Sequence, residues 1–121
     1  MKILIVDDSR AMRRIMSRFI GQAGYADADV FEAENGRQAM EAVRSEAPDL
    51  ILSDWRMPEM TGIDLLEALN TEGYRVPFGF VTSEPTKSMV QTAREAGAVF
   101  LLAKPFSAED MAKVLGVVMP V

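Results

Sequence analysis

Three aspartates, Asp7, Asp8 and Asp54, follow short apolar runs and are the residues best placed to do chemistry. The first two come after residues 3–6, and Asp54 comes after residues 50–53. An acid at the end of a buried run costs free energy unless something uses it. Ionised carboxylates a few ångströms apart repel by about 4 kcal/mol per pair at a surface-like dielectric. If the two runs bring the aspartates together, we expect a divalent cation to neutralise them.

Two later apolar runs also end in polar side chains. Thr82 and Ser83 follow one run, and Lys104 follows the next, immediately before Pro105. In a parallel sheet these runs would all end on the same rim, where ligands bind. Neighbouring strands lie about 4.8 Å apart, so a lysine two strands from Asp54 must bridge most of about 10 Å. A compact ammonium on a flexible stem is suited to that distance.

Each of these residues alone also has an ordinary structural interpretation: a helix cap, a turn or a solvated side chain. These alternatives are a helix cap for Asp8, solvent exposure for Asp7 and Lys104, and a turn or helix start for Asp54, Thr82 or Ser83. They do not explain why all these residues would lie on one rim, with the acids together and the cation opposite.

The composition excludes several kinds of site. The 121-residue chain has a formal net charge of -5 and contains neither cysteine nor histidine. Disulfides, thiol nucleophiles and phosphohistidine are therefore excluded, and the remaining chemistry must use carboxylates, hydroxyls and lysine. A hard cation such as Mg²⁺ becomes the expected metal, and a phosphoryl group the expected substrate. The negative charge disfavours direct binding of nucleic acid.

The length and the first residues indicate the general class of protein. At this length we expect one domain with a single core. Only four apolar residues, 3–6, precede the first acids, which is too few for a signal peptide or a membrane span. We therefore expect a soluble, cytoplasmic chain without membrane insertion.

Short apolar runs alternate with stretches of helical periodicity along the whole chain. The predicted strands are residues 3–6, 30–33, 50–53, 77–81 and 99–103. Five βα units in series predict an α/β fold, a doubly wound five-stranded parallel sheet with five helices on both faces. Glu32 in the second strand places that strand at a sheet edge. This suits the flavodoxin-like order 2-1-3-4-5, which is adopted from known doubly wound folds.

Glycines and capping residues mark the expected helix ends. Gly24 and Gly97 lie where helices should stop. Capping boxes are predicted at Asn35 with Gln38, Thr61 with Asp64 and Ser107 with Asp110.

Four segments spread over almost the whole chain carry a family resemblance: ILIVDDSRAMRRI, SDWRMPEMTGIDLL, VTSE and AGAVFLLAKPF. They resemble the receiver domains of two-component response regulators, in particular the single-domain chemotaxis (CheY-like) type. The resemblance implies one receiver domain over residues 1–121. Such a domain is a phosphorylation-dependent switch that assists its own phosphorylation and dephosphorylation, not a conventional enzyme.

The resemblance also implies roles for the candidate residues. Asp54 would accept a phosphoryl group from the phosphohistidine of a partner histidine kinase. Mg²⁺ would be held by Asp7, Asp8, Asp54 and the backbone carbonyl of Arg56. Lys104 would pair with the phosphoryl oxygens, so that the metal and the ammonium together meet the charge of the transferring group.

The switch implied by the resemblance departs from the family pattern at one position. Thr82 would move its hydroxyl onto the phosphoryl group. Family members often carry an aromatic residue three positions before the lysine, and this chain has Leu101 there. Phe100 cannot substitute, because adjacent strand residues face opposite ways. A downstream protein would bind the face formed by the fourth helix, fifth strand and fifth helix.

The loops around the site have implied functions as well. Met57-Pro58 and Gly62 would turn the loop over the site, and the peptide between Lys104 and Pro105 would be cis. By the same resemblance, Arg56 and Glu84 occupy positions that tune the lifetime of the phosphate. The hypothesis is that they pair across the mouth of the site and restrict the attacking water; the alternative is that they are two unpaired surface charges.

Two other functions stay open at this level. A haloacid dehalogenase-like phosphatase also uses an aspartyl phosphate, Mg²⁺ and lysine, but its nucleophile follows the first strand in an Asp-x-Asp pattern. This chain has adjacent Asp7-Asp8 instead. A flavin or nucleotide carrier is weaker, because neither G-x-G-x-x-G nor G-x-x-x-x-G-K-[ST] is present.

Overall fold

A computed structural model gives the fold and describes residues 1–83 and 85–119. Strands and helices alternate along these residues. The strands are β1 (Lys2–Val6), β2 (Asp29–Ala33), β3 (Leu50–Asp54), β4 (Phe78–Thr82) and β5 (Phe100–Ala103). The helices are α1 (Arg10–Ile20), α2 (Gly36–Glu46), α3 (Gly62–Thr71), α4 (Lys87–Glu95) and α5 (Ala108–Val118). Each predicted strand is present, with its ends within one residue of the prediction.

The five strands form one parallel sheet in the order β2-β1-β3-β4-β5, which confirms the predicted topology. Parallel strands require crossover connections, so helices cover both faces. One buried cluster, which includes Leu4 and Ile51, packs against α2, α3 and α4. The other, which includes Ile5 and Leu52, packs against α1 and α5. Successive residues of one strand therefore pack into opposite halves of the core.

Burial along the strands explains their sequence patterns. The central strands β3 and β4 are buried at every position, which explains why their sequences are nearly continuous apolar runs. The edge strand β2 pairs only with β1 and leaves Asp29 and Glu32 exposed. Glu32 therefore marks a sheet edge, as predicted.

Each of the five α-helices begins at a side chain that accepts a backbone N–H three residues later. These caps are Ser9, Asn35, Thr61, Thr86 and Ser107. Complete capping boxes are present at Thr61 with Asp64 and at Ser107 with Asp110. The predicted box at Asn35 is half formed: Asn35 accepts from Gln38, but the Gln38 side chain accepts the N–H of Glu34. The Gln38 side chain therefore accepts from the N–H of Glu34 and not from the N–H of Asn35, which a capping box would use.

The glycines at two helix ends adopt left-handed backbone conformations. A π-helical segment, Gly21–Tyr25, continues α1, and Gly24 within it has a φ of 104°. Gly97, after α4, has a φ of 98°. Both positions favour glycine, because a Cβ is strained at such angles. In the described parts of the chain, no helix combines the length and the apolar character needed to cross a membrane.

Gly62, the first residue of α3, lies against the end of β3. Its N–H donates to the carbonyl of Trp55 at 2.8 Å. A Cβ at this position would overlap the carbonyl oxygen of Asp54 and would lie 2.9 Å from the ring of Phe80. Neither a strand backbone nor a buried ring moves cheaply, so glycine is what allows α3 to begin this close to Asp54.

Gly62→Ala is expected to destabilise the chain by about 1–3 kcal/mol, because overpacking forces backbone shifts. Gly116→Ala is the matched control: it lies in α5, with nothing within 4 Å of an added Cβ. That change is expected to stabilise the chain by about 1 kcal/mol through helix propensity. Urea unfolding measures both free energies, and equal stability of the two variants would contradict the packing argument.

Candidate functional site

The strand ends bring the predicted polar residues to one rim of the sheet. Asp7 and Lys104 directly follow β1 and β5, while Asp54 and Thr82 are the last residues of β3 and β4. The N–H of Asp7 donates to the Ala33 carbonyl at 3.1 Å, and that of Lys104 donates to the Thr82 carbonyl at 2.8 Å. The ladder bonds thus continue to the residues of the rim and hold their backbones in place.

Asp7, Asp8 and Asp54 form an acidic cluster on this rim. One carboxylate oxygen from each residue lies within 4.8 Å of the other two. Asp7 is 1% exposed and Asp54 is 8% exposed, whereas Asp8 is exposed to solvent. The cluster therefore has two buried acids and one acid on its solvent side.

Hydrogen bonds fix the Asp7 carboxylate from two sides. Its Oδ1 accepts the N–H of Ser9 at 2.8 Å, and its Oδ2 lies 3.4 Å from Nζ of Lys104. Ser9, and not Asp8, caps α1. The ordinary interpretations of Asp8 as a helix cap and of Asp7 as a solvated acid are therefore wrong.

Lys104 joins the two buried acids. Its Nζ lies 3.4 Å from Oδ2 of Asp7 and 3.6 Å from Oδ1 of Asp54, and its side chain is only 16% exposed. The peptide between Lys104 and Pro105 is cis, as the family resemblance implies. The lysine is thus a half-buried partner of the cluster and not a solvated residue at a strand end.

Thr82 lies beside the cluster on the next strand. Asp54 pairs in register with Val81, the residue that precedes Thr82. Thr82 is 1% exposed, and the start of α4 is capped by Thr86. Thr82 therefore does not cap α4, although its position in the sequence would allow that role.

The pKa values of both buried acids are raised above the ordinary 3.8, and burial is the largest cause in each case. For Asp54, the charge of Asp7 raises the pKa further, while Lys104 and a backbone hydrogen bond from Arg56 lower it. For Asp7, the N–H of Ser9 and the Lys104 ammonium lower it. The fold therefore keeps these carboxylates where their charged forms are costly and a further cation is favoured.

The cluster has the donor chemistry of a hard divalent cation. The converging ligand atoms are all carboxylate oxygens, and the sequence has no histidine or cysteine to add a softer donor. Oxygen ligands of this kind suit Mg²⁺. Since three carboxylates converge among the described residues and Asp8 faces solvent, a cation here would keep positions for water or phosphoryl oxygens. That is the coordination Mg²⁺ favours.

The loop after β3 is anchored by apolar contacts. Met57 is buried in the core, and the ring centroids of Trp55 and Phe80 are 4.7 Å apart. Arg56 between them is exposed. Its predicted partner, Glu84, lies outside the described residues, so the pairing of these two side chains stays a prediction.

Leu101 and Phe100 point to opposite faces of β5, as predicted. Leu101 packs against the cluster that contains Phe80 and Ala93, on the side of α4. Phe100 packs on the other face, and its ring covers Gly79, where a Cβ would overlap it. The one aromatic residue of β5 therefore lies on the side away from α4.

Ser9 and Arg13 also contact Asp7, although no motif in the sequence places either residue at the site. The position of Ser9, just before a helical stretch, is a signature of a helix cap and could have been recognised. Arg13 had no such signal, because Arg10 and Arg14 lie beside it on the same helix.

Known proteins are similar to this chain in sequence and in fold. A family model described as the response regulator receiver domain matches residues 3–116. The chain is 38% identical over 122 residues to the chemotaxis protein CheY1 of Helicobacter pylori, covering 98% of this chain and 97% of that protein. It is 34% identical over 110 residues to the sporulation initiation phosphotransferase F of Bacillus subtilis, covering 91% and 86%. The solved structure of chemotaxis protein CheY4 from Vibrio cholerae matches with a TM-score of 0.87 at 34% identity, covering 98% of each chain.

Asp54→Asn is expected to raise the stability of the metal-free chain by about 1 kcal/mol at pH 7, because it removes a costly buried charge. The raised pKa means that the folded state binds more protons than the unfolded state in the pH range between 3.8 and the raised folded-state pKa. The destabilisation by the wild-type carboxylate therefore fades as the pH falls through that raised pKa, and the advantage of the variant shrinks with it.

The control for this pH dependence is Asp110→Asn. The pKa of Asp110 is lowered, chiefly by its capping hydrogen bond with Ser107. The stability that the ionised carboxylate contributes is therefore present above pH 3.8 and is lost as the pH falls through the lowered pKa. We expect this variant to be less stable than wild type at pH 7. Thermal melts from pH 7 to well below pH 3.8 measure both; an advantage of Asp54→Asn that grows on acidification would disprove the assignment.

Proposed function

The chain belongs to the response regulator receiver domain family, and from this premise we propose that Asp54 is the residue that accepts the phosphoryl group. Receivers of this family are phospho-accepting switches of two-component systems, and this chain is one of them. The observation that carries the proposal is the position of Lys104, whose ammonium lies 3.6 Å from Asp54 and 3.4 Å from Asp7.

Asp54 has the position of a nucleophile. Its carboxylate is at the end of a central buried strand, on the rim, and its side chain is 12% exposed. In the proposed reaction, a carboxylate oxygen forms a bond to phosphorus while the bond from phosphorus to the donor's imidazole nitrogen breaks. That nitrogen keeps the electron pair, and the product is an aspartyl phosphate. The donor is a partner histidine kinase.

Asp7, Asp8, Asp54 and the backbone carbonyl of Arg56 would hold Mg²⁺ in this proposal. The convergence of the three carboxylates within 4.8 Å supports it. Bound there, Mg²⁺ would neutralise the acids and the charge that develops on the phosphoryl oxygens. Without such neutralisation, a nucleophilic carboxylate and an incoming phosphoryl group would repel each other.

Lys104 and Thr82 would act on the phosphoryl group once it is attached. The ammonium is already held beside Asp54, so phosphorylation lets it exchange carboxylate oxygens for phosphoryl oxygens without a large movement. Thr82 follows the residue paired with Asp54, and its hydroxyl would turn toward the new group. This turn is the proposed start of the switch, and it shifts a pre-existing equilibrium of the fold.

The output would be altered binding of a downstream protein to the face of α4, β5 and α5. Val90, Val99 and Val117 are large apolar side chains that stay exposed in or beside these elements. Two relatives named as chemotaxis proteins match nearly the whole chain, so the proposal places this receiver in chemotaxis signalling. It includes the expected cytoplasmic location, where a kinase would meet the chain.

Incubation with a small-molecule phosphodonor and Mg²⁺ is expected to add one phosphoryl group, detected by mass. Asp54→Asn should add none, and Asp8→Asn should lose the Mg²⁺-dependent reaction while its metal-free fold becomes more stable. Asp27→Asn, an exposed acid before β2, is the matched control and should react as wild type. Phosphorylation of Asp54→Asn, or a reaction that ignores Mg²⁺, would disprove the proposal.

The lifetime of the aspartyl phosphate is proposed to depend on Arg56 and Glu84, which would restrict the attacking water. Arg56→Asn and Glu84→Ala are each expected to speed loss of the phosphate by a few fold. Arg75→Asn, at an exposed position before β4, controls for the change in charge. Loss rates measured after removal of the phosphodonor test the idea, which is wrong if both variants decay like wild type.

A further inference from the structure

Arg13 of α1 makes two hydrogen bonds that cross the top of the sheet. Its Nη1 donates to the main-chain carbonyl of Asp7 at 2.8 Å, and its Nε donates to Oε1 of Glu32 at 2.8 Å. The Arg13 side chain is 12% exposed, against 44% for Glu32. A single guanidinium therefore ties α1 to the end of β1 and to the edge strand β2. Arginine suits this geometry because its donors form a rigid fork.

The carbonyl that Arg13 holds belongs to the peptide between Asp7 and Asp8. The N–H of Asp7 is held by Ala33, and its carboxylate is held by Ser9 and Lys104. Within the described residues, the hydrogen bonds and ion pairs at this rim do not include the Asp8 carboxylate. The direction of Asp8 is thus set by its backbone, which Arg13 orients.

We infer that Arg13 is a positioning residue for the cation site, acting on Asp8 through the peptide that joins Asp8 to Asp7. The inference rests on the proposed Mg²⁺ function of the acidic cluster. Glu32 completes the arrangement by holding the other side of the guanidinium, so that the arginine cannot swing away from the Asp7 carbonyl. A residue that orients a metal ligand in this way commonly affects metal affinity as strongly as some ligands do.

The sign of the effect separates positioning from simple electrostatics. Arg13 is a cation close to a site that binds a cation, so its charge alone opposes Mg²⁺ binding. If charge were its only contribution, removing it would tighten binding. If it orients Asp8, removing it weakens binding in spite of the lost repulsion.

The test compares Mg²⁺ affinity in the full chain without any phosphodonor. Arg13→Gln is expected to raise the Kd for Mg²⁺ about tenfold. Trp55, next to Asp54 in the sequence, is the sole tryptophan and should report binding by its fluorescence. The rise of Tm with Mg²⁺ concentration gives the same constant independently, since a ligand that binds only the folded state stabilises it.

Two further variants control the experiment. Arg14→Gln makes the same change in net charge at the neighbouring exposed position, and should leave the Kd unchanged or slightly lower. Arg13→Lys keeps the charge, but a lysine ammonium cannot bridge both acceptors with a planar fork. We expect its Kd to lie between those of wild type and Arg13→Gln.

A Kd for Arg13→Gln at or below the wild-type value, with the variant folded in metal-free melts, overturns the inference and leaves the proposed function intact. If Arg13→Gln does not fold, Arg13→Lys decides by the same criterion. If the wild-type chain shows no saturable response to Mg²⁺ by either measurement, the proposed metal function and this inference both fail.

Discussion

The rest of the site depends on one electrostatic constraint, the crowding of three carboxylates at the rim of a parallel sheet. Asp7 and Asp54 are almost fully buried and carry raised pKa values, so their charges cost stability that the fold must recover elsewhere. Lys104 offsets part of this cost, and a divalent cation would offset more. Under the proposed function, the repulsion that destabilises the metal-free rim would also favour the binding of Mg²⁺ there.

Hydrogen bonds and packing contacts around the site prevent the acids from moving apart. The strand ladders hold the backbones of Asp7 and Lys104. The Ser9 hydroxyl accepts the N–H of Met12 at the start of α1, and the backbone N–H of Ser9 donates to the Asp7 carboxylate. Gly62 lets α3 begin directly against the strand that carries Asp54. Like charges separate unless rigid elements oppose it, and here those elements are the sheet and the capped starts of α1 and α3.

The proposed switch would have an aliphatic side chain, Leu101, at the position for which the family resemblance implies an aromatic one. Leu101 packs toward α4 within the core cluster, and the aromatic residue of β5, Phe100, is committed to the opposite face over Gly79. Its ring cannot cross the sheet to replace the missing aromatic group. In the proposed switch, coupling between Thr82 and the face of α4, β5 and α5 would therefore use the smaller apolar contacts of Leu101 and the backbone of β4 and β5.

The sequence by itself determined the order of strands and helices, because apolar runs and cap residues are local signals, and the motifs carried the family and the topology. It also placed Asp7, Asp54, Thr82 and Lys104 on one rim, since parallel strands end together. Tertiary structure alone decided which acids are buried and that Lys104 contacts both of the buried ones. It also decided that Arg13 donates to the Asp7 carbonyl. These are contacts between residues distant in the chain, and no local pattern distinguishes Arg13 from the arginine that follows it.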